Sequence, residues 1–566
     1  MIIPKKSQFR ILVTCFLFIG TIFARNTKLH LVFTNDVHGS LQRGPARFIN
    51  PEFSPNLSGG AGAYNYVKSL RDISETRNES VLLTDAGNIF QGTRLGTSDG
   101  GRTMIKWMNW MEYDAFTPGV KDFDQGVDNL VSLSNKANFP FLSANLNGVD
   151  NVQPYLVKDM GVYKLGIVGI TSKSIFKNTI PDNVSGVSLK DPLSTIQDMV
   201  NQLKSKNVDI IIVLAHMGLP YQREEEYEKM LSRIQAGEKI EITNALELAH
   251  FVTDVDVIIT GGIRKGYDTP WEDPITNTLV VQNYGNLTGI GHLIINIDIE
   301  SRSISGYDFP TDRGMMTTLF EDDIFADETM LDSIDSWVAN VKTDYSKMDY
   351  VETISMINTK EPPSCPSPIK SPQNNYDIPI LGMDETMDVM TWNMERFPLR
   401  GDTTISAVIE IIQDLNIDLI GVQEISEIGK FAEMMESLPD YDYVMSKQSS
   451  FFDQAVIYRS KSINVLGSSE PFAFDDYFFA GRPPLLVDLF WRCEDYNIEF
   501  TVVNMHLKCC GDGLYRRKQS MKQLHSILKD RVDLGKNNIL VIGDWNDEIQ
   551  DRGIYQSFGV FIDDVN

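Results

Sequence analysis

Short runs of aliphatic and β-branched residues recur along the chain, each closed by a polar cluster: Leu29 to Thr34, Val81 to Thr84, Phe139 to Asn145, Leu165 to Thr171, Ile210 to Leu214 and Val255 to Thr260. Uninterrupted apolar runs of this length read as strands buried on both faces. Helical patterns stand between them. One helix start is explicit: Asp191 suits an N-cap, Pro192 suits the first helical position, and Ile196, Met199, Val200 and Leu203 share one face. The stretch Glu361 to Pro379 is rich in proline, serine and asparagine and reads as a linker. Beyond it the strand pattern resumes at Met387 to Trp392, Ile417 to Val422, Ala455 to Tyr458, Leu485 to Trp491, Phe500 to Met505 and Asn538 to Ile542. A helix between the first two of these carries Ile405, Val408, Ile409, Ile412 and Leu415 on its apolar face. Strands alternating with helices predict an α/β organisation with functional groups on the loops that follow strands. The two halves share this layout without sharing a spacing, so no internal repeat is read.

A length of 566 residues suits two large domains or three smaller ones. The first residues place Lys5, Lys6 and Arg10 before an apolar run from Ile11 to Phe23, with Ala24 before a polar stretch, which is the layout of a signal peptide over 1–25. The run is too short for a comfortable membrane span, and the expected location is secreted, periplasmic or extracellular. Cleavage would remove Cys15 and leave Cys365, Cys493, Cys509 and Cys510, which pair in any of three ways or stay free. The net charge of −26 excludes general attraction to a polyanion, so any nucleic acid has to be held by a local site or a divalent cation.

Candidate chemistry begins at Thr34-Asn35-Asp36-Val37-His38-Gly39, an Asp-x-His pair straight after an apolar strand, which offers a divalent cation two ligands on one loop. Further polar clusters follow strands in order: Asp85-Ala86-Gly87-Asn88 with Gln91-Gly92, Gly119-Val120-Lys121-Asp122-Phe123-Asp124, Ser143-Ala144-Asn145, His216-Met217-Gly218 and Gly261-Gly262-Ile263-Arg264. On these motifs residues 27–315 resemble the calcineurin-like metallophosphoesterase domain of the 5'-nucleotidase family, which holds two metals and hydrolyses phosphate esters of nucleotides. The resemblance implies metal ligation by Asp36, His38 and His216, with Asn88 at the position of the bridging aspartate. Val120-Lys121 stands where the family has Asn-His, and Gly262 and Arg264 where it has two histidines. A neutral amide cannot screen two cations as a carboxylate does, so the reading is a weakened site for Zn²⁺ or another divalent metal, with Lys121 and Arg264 as candidate phosphate contacts. The segment 316–384 reads as a helical stretch followed by the linker.

In the second half, polar groups leave consecutive strands at Thr391-Trp392-Asn393, Val422-Gln423-Glu424, Arg482-Pro483-Pro484, Asn504-Met505-His506 and Gly543-Asp544-Trp545-Asn546-Asp547. Residues 385–566 resemble the endonuclease/exonuclease/phosphatase superfamily on this set. The superfamily's closing Ser-Asp-His motif does not follow, and His525 on its helix does not replace it, so the reading is a domain incomplete at its C-terminus. The resemblance implies that Glu424 tethers Mg²⁺ or Mn²⁺, that Asn393 steadies the carboxylate, that Asp544 orients water, that His506 and Asn546 donate to phosphate oxygens, and that Arg482 adds a phosphate contact.

Both resemblances imply an α/β fold of two four-layer αββα sandwich domains, metallophosphoesterase-like and then deoxyribonuclease-I-like. The expected function is a secreted, divalent-metal-dependent phosphoester hydrolase: first a nuclease or phosphodiesterase in the C-terminal domain beside a degenerate nucleotidase-like domain. The alternatives are a 5'-nucleotidase or phosphatase acting through the N-terminal domain, or a noncatalytic extracellular binding protein. The expected partner is a phosphate-ester substrate, nucleic acid or nucleotide. No protein partner is inferred.

Overall fold

The computed structural model describes residues 26–341, 375–383, 386–448, 452–473, 476–493 and 496–564. The signal-peptide reading, Cys365 and most of the proline-rich stretch lie outside them. Among the described residues no helix is long and apolar enough to cross a membrane.

Strand alternation builds the first half. Asn26–Thr34 runs parallel to Ser80–Asp85 and antiparallel to Gly289–Asp298 at the centre of an eight-stranded sheet. Leu29, Leu31 and Phe33 share a core with Lys164–Ile170, Ile210–Ala215 and Val257–Thr260 of a second, six-stranded sheet and with the helices outside it. The intervening Val32 points the other way, with Leu83, into a core built on the helices Gly59–Arg77 and Arg102–Met111. The result is helix, sheet, sheet, helix. The helix Pro192–Ser205 begins as its sequence requires, with the Asp191 side chain accepting from the Ser194 N–H at 2.9 Å, and buries Ile196, Val200 and Leu203. The sheet and its core continue past residue 315: Met316–Thr318 pairs with Gly289–Asp298, and the helix Glu328–Asn340 buries Met330 and Ile334 against the outer helices.

The second half repeats the layering with two four-stranded sheets. Ile420 and Val422 of Leu419–Ile425 pack under the helices Asp402–Leu415 and Ile428–Glu436, while Leu419 meets Leu485, Val487 and Leu489 of the other sheet. Leu486, Val503 and Met505 face outward onto the helix Leu514–Asp533. A buried amide pair locks the sheets together: Gln423 Nε2 donates to Asn504 Oδ1 at 2.6 Å, and Asn504 Nδ2 donates to the carbonyls of Val422 and Ala455 at 3.0 Å each. Left unpaired, such groups would cost about 1–3 kcal/mol each, so the pair fixes how one sheet sits on the other.

A second buried polar chain crosses the first half. Glu79 Oε2 meets His30 Nε2 at 3.0 Å, His30 Nδ1 meets His292 Nε2 at 2.9 Å, and His292 Nδ1 meets the Tyr66 hydroxyl at 2.7 Å. Burial, followed by the charge of His30, pulls His292 down to about 3. The folded state therefore resists a proton that the unfolded chain accepts near pH 6.5, and stability is lost as pH falls from about 6.5 toward 3. In urea titrations between pH 7 and 4.5, the wild type is expected to lose about 2 kcal/mol more than His292→Gln. Parallel pH dependences would show that this chain of groups does not resist protonation.

Candidate functional site

Register brings the N-terminal groups together. Thr34 and Asp85 are partners on neighbouring parallel strands, so the loops carrying Asp36 with His38 and Asn88 leave the sheet side by side. Ala215 and Thr260 are likewise partners, which sets His216 beside Gly261 and Gly262. Asp36, His38 and Asn88 all have positive φ, a conformation unfavourable for side-chain-bearing residues and one that collects at functional sites. Gly92, also at positive φ, lies against His38, and a methyl group there would stand 2.7 Å from His38 Cβ. Asp122 fixes the same loops by accepting from the backbone N–H groups of Asn88, Ile89 and Gly119 at 2.7–2.9 Å. Burial pushes Asp122 up to about 6 against those donors.

The arrangement of protons at this site is the telling feature. His38 Nδ1 lies 2.6 Å from the Gln91 carbonyl and His216 Nδ1 lies 2.6 Å from the Ala86 carbonyl. A carbonyl only accepts, so each Nδ1 carries a hydrogen, and in its neutral form each ring presents a bare Nε2. Both bare nitrogens face Asp36 Oδ1, at 3.6 and 4.0 Å, and His216 Nε2 is buried without a hydrogen-bond partner. Burial, then the charge of Arg264, holds His38 down at about 4, so it is neutral at pH 7. Burial also pushes the Asp36 carboxyl up, but its contacts with the His38 and His216 rings and the Gly262 N–H outweigh this and hold it well below the carboxylate range. Three lone pairs around a buried negative charge fit a divalent cation.

Two expected residues behave differently. Asn88 does not offer its oxygen: Asn88 Oδ1 accepts from the Lys121 N–H at 2.7 Å, which turns the amide NH₂ onto Asp36 Oδ1 at 2.8 Å. Asn88, expected as a metal ligand, stands here as a donor to Asp36. The Lys121 side chain is paired with Asp124 at 3.5 Å and with Asp453 of the second half at 3.9 Å rather than turned to a free phosphate position. Burial works against its charge, and the two carboxylates more than restore it. Arg264 remains half-buried beside Asp36, with burial lowering its pKa and Asp476 and then Asp36 raising it.

The C-terminal groups converge more tightly. Asn393 and Gln423 are register partners on parallel strands, as are His506 and Asp544. Asn393 Nδ2 donates to Glu424 Oε1 at 3.0 Å and to Asp544 Oδ2 at 2.8 Å, and His506 Nε2 lies 3.6 and 3.8 Å from the same two oxygens. Among the described residues Glu424, His506 and Asp544 are the group of acidic and imidazole side chains whose ligand atoms all lie within 4.8 Å of one another. Glu424 and Asn546 have positive φ. Arg482 Nη1 lies 3.1 and 3.2 Å from the ring nitrogens of His506, and Arg482 Nη2 and Asn546 Nδ2 both donate to the Leu507 carbonyl. Burial, then the charge of Arg482, lowers His506 to about 4, and burial lowers Arg482 to about 10, so the ring is neutral and the guanidinium charged at pH 7. His525 stands apart, paired with Asp564 at 2.7 Å.

Sequence reading missed the groups that join the halves. Gln91, next to His38, donates to the Lys447 carbonyl, Lys177 pairs with Glu427 at 3.5 Å, and Arg47 lies over the Phe478 ring at 5.3 Å. A closed turn, with Gly481 N–H donating to the Asp476 carbonyl at 3.2 Å, places Asp476 in the field of Arg264 and Arg482 against His506. One loop thus borders both sites. Of these groups, Gln91 had a signal in the sequence, its place in the cluster from Asp85 to Gly92, as did Asp122 of the N-terminal site within the Gly119 to Asp124 cluster.

No family model matches the chain. Over 222 residues it is 32% identical to the 5'-nucleotidase of Homo sapiens, covering 37% of this chain and 36% of that protein. Over 364 residues it is 27% identical to the 5'-nucleotidase of Rattus norvegicus, covering 59% of this chain and 56% of that protein. The chain spans from about a third to just over half the length of these relatives. A solved endonuclease/exonuclease/phosphatase family protein from Bacteroides thetaiotaomicron overlaps at 21% identity and a TM-score of 0.26, over 31% of this chain and 68% of that one. The homologues of the first half are thus 5'-nucleotidases, hydrolases acting on phosphate esters, and this likeness backs the nucleotidase alternative better than the nuclease-first reading.

Because the Asn88 amide faces a carboxylate with its NH₂, Asn88→Asp adds the negative charge that the first site lacks. Calorimetric titration with Mn²⁺ or Zn²⁺ is expected to show binding tighter by about tenfold or more in the variant. Equal affinities would mean that the cation does not enter the gap beside Asp36.

Proposed function

We propose that this chain is a divalent-metal-dependent phosphoester hydrolase whose N-terminal module acts as a 5'-nucleotidase-type phosphomonoesterase with an altered ligand set. The observation that carries this reading is the pair of bare Nε2 atoms, on His38 and His216, turned onto the buried Asp36 carboxylate. These three side chains would hold the cation, and when bound it would supply Lewis acidity toward a phosphate oxygen. Arg264 contributes a fixed positive charge beside the same carboxylate, able to offset the charge that a phosphoryl group gains in the transition state. Asn88 keeps Asp36 oriented, and Asp122 holds the loops in register. Likeness to the named 5'-nucleotidases supports a nucleotide phosphomonoester as substrate. The N-terminal leader pattern supports action outside the cytoplasm.

A second reading is favoured by the tight convergence of Glu424, His506 and Asp544: the C-terminal module is a Mg²⁺- or Mn²⁺-dependent phosphodiesterase. Here Asn393 bridges the two carboxylates and fixes their spacing, while Arg482 and Asn546 anchor the loop that follows His506. Neutral His506 retains one N–H to donate to a phosphate oxygen, and charged Arg482 stands beside it.

Purified protein assayed with AMP and with bis(p-nitrophenyl) phosphate, under Mg²⁺, Mn²⁺ or Zn²⁺, separates the two. His216→Ala is expected to lower AMP hydrolysis about a hundredfold and leave the diester rate unchanged; Glu424→Ala is expected to do the reverse. AMP hydrolysis insensitive to His216→Ala overturns the first reading. Absence of hydrolysis under all three metals supports the noncatalytic alternative instead.

A further inference from the structure

The loop after His506 carries two adjacent cysteines that neither reading above uses. Cys509 and Cys510 are exposed free thiols, and their sulfur atoms lie 2.9 Å apart. Cys493, by contrast, is disulfide-bonded. Cys510 has φ 71° and ψ 171°, a strained conformation for a residue with a side chain. Buried Arg517 holds it there, donating to the carbonyls of Lys508 at 2.8 Å and Cys510 at 2.9 Å, while its Nε donates to Asp547 at 2.9 Å. One residue earlier, the Leu507 carbonyl is gripped by Arg482 and Asn546. The carbonyls of Leu507, Lys508 and Cys510 are therefore all held by buried or half-buried side chains at the edge of the C-terminal site.

We propose that Cys509 and Cys510 form a vicinal dithiol that a small disulfide such as oxidised glutathione converts to a ring disulfide, and that closing the ring shifts the loop leading out of His506. The coupling to hydrolysis rests on the phosphodiesterase reading; the thiol chemistry does not. Lys508 Nζ lies 3.7 Å from Cys509 Sγ, and the hydrogen bond from Cys510, with Lys508 and Arg482, lowers the Cys509 thiol below its ordinary range against the opposing effect of burial. Cys509 is thus the attacking sulfur. Its thiolate breaks the glutathione disulfide, forms a mixed disulfide and releases one glutathione thiolate. Cys510 then gives its proton to solvent, attacks Cys509 Sγ and releases the second. Two protein thiols are oxidised and one glutathione disulfide is reduced to two thiols. Consecutive Cα atoms stand about 3.8 Å apart. Disulfides usually join Cα atoms roughly 4.4–6.8 Å apart, a separation adjacent residues cannot reach, so the ring closes only with a strained turn of the backbone about the peptide between the cysteines. That turn pulls on the carbonyls held by Arg517 and, through Leu507, on those held by Arg482 and Asn546.

The test uses the full chain, reduced, then incubated with oxidised glutathione, alkylated and mapped by mass spectrometry. The peptide containing both cysteines is expected to lose two hydrogens, resist alkylation and recover both thiols in dithiothreitol, whereas Cys510→Ser keeps one glutathione on Cys509. Two glutathione adducts, or two alkylated thiols, on the wild-type peptide would overturn the ring. Hydrogen exchange over residues 505–513 reads the loop shift without reference to activity, and unchanged exchange after ring closure overturns the coupling. Diester hydrolysis is expected to fall about tenfold on oxidation and return on reduction. Should the reduced protein hydrolyse no diester, the phosphodiesterase reading fails while the mass and exchange results still decide the dithiol.

Discussion

Two imidazole rings, each giving its only hydrogen to a backbone carbonyl, face one buried carboxylate with bare nitrogens. Everything at the N-terminal site follows from that constraint. The carbonyls of Gln91 and Ala86 both belong to the loop that follows Ser80–Asp85, so the path of that one loop fixes the tautomers before any ligand arrives. Positive φ at Asp36, His38 and Asn88 is the conformational cost of aiming three side chains at one point, and it is sustained by Asp122, whose carboxylate binds the backbone beneath them. A charge buried among lone pairs requires a positive partner, and the fold supplies one from within, the half-buried Arg264.

The substitutions that separate this site from its relatives are mutually adjusted. The Asn88 amide is oriented by the Lys121 backbone N–H, so its NH₂ braces Asp36 instead of opposing it. Lys121 in turn pairs with Asp124, whose carboxyl burial raises to about 7, and with Asp453 from the other half of the chain. Lys121 is here part of the contact between halves. In a chain with net charge −26, the shared loop is met by cationic groups from both halves, Arg47 and Arg264 from one and Arg516 from the other.

The C-terminal site rests on a different support. Its carboxylates are held by Asn393 above and, one strand away, by the Gln423–Asn504 amide lock between the sheets. Because Asn504 reaches both Val422 and Ala455, a shift of either sheet would break several satisfied buried hydrogen bonds together. The site is thus rigid at its base. Its outer edge, from Leu507 to Cys510, is held by only a few side-chain donors.

By itself the sequence determined the strands, the helix from Pro192, the apolar face from Ile405 to Leu415 and the clustering of Asp36, His38, His216, Glu424, His506 and Asp544 at strand ends. These depend on alternation, on three-to-four spacing and on capping, all of which are local to a few residues. Only the tertiary structure decided which atom of Asn88 faces Asp36, that Lys121 is paired with Asp453, and that one loop borders both sites. Gln91 and Lys447 lie 356 residues apart in the chain, and no periodicity encodes such a contact. The physical reason is that hydrophobic pattern selects which face of an element is buried, whereas the orientation of an amide or the partner of a buried charge is settled by whichever donor or acceptor the assembled fold brings within hydrogen-bonding reach.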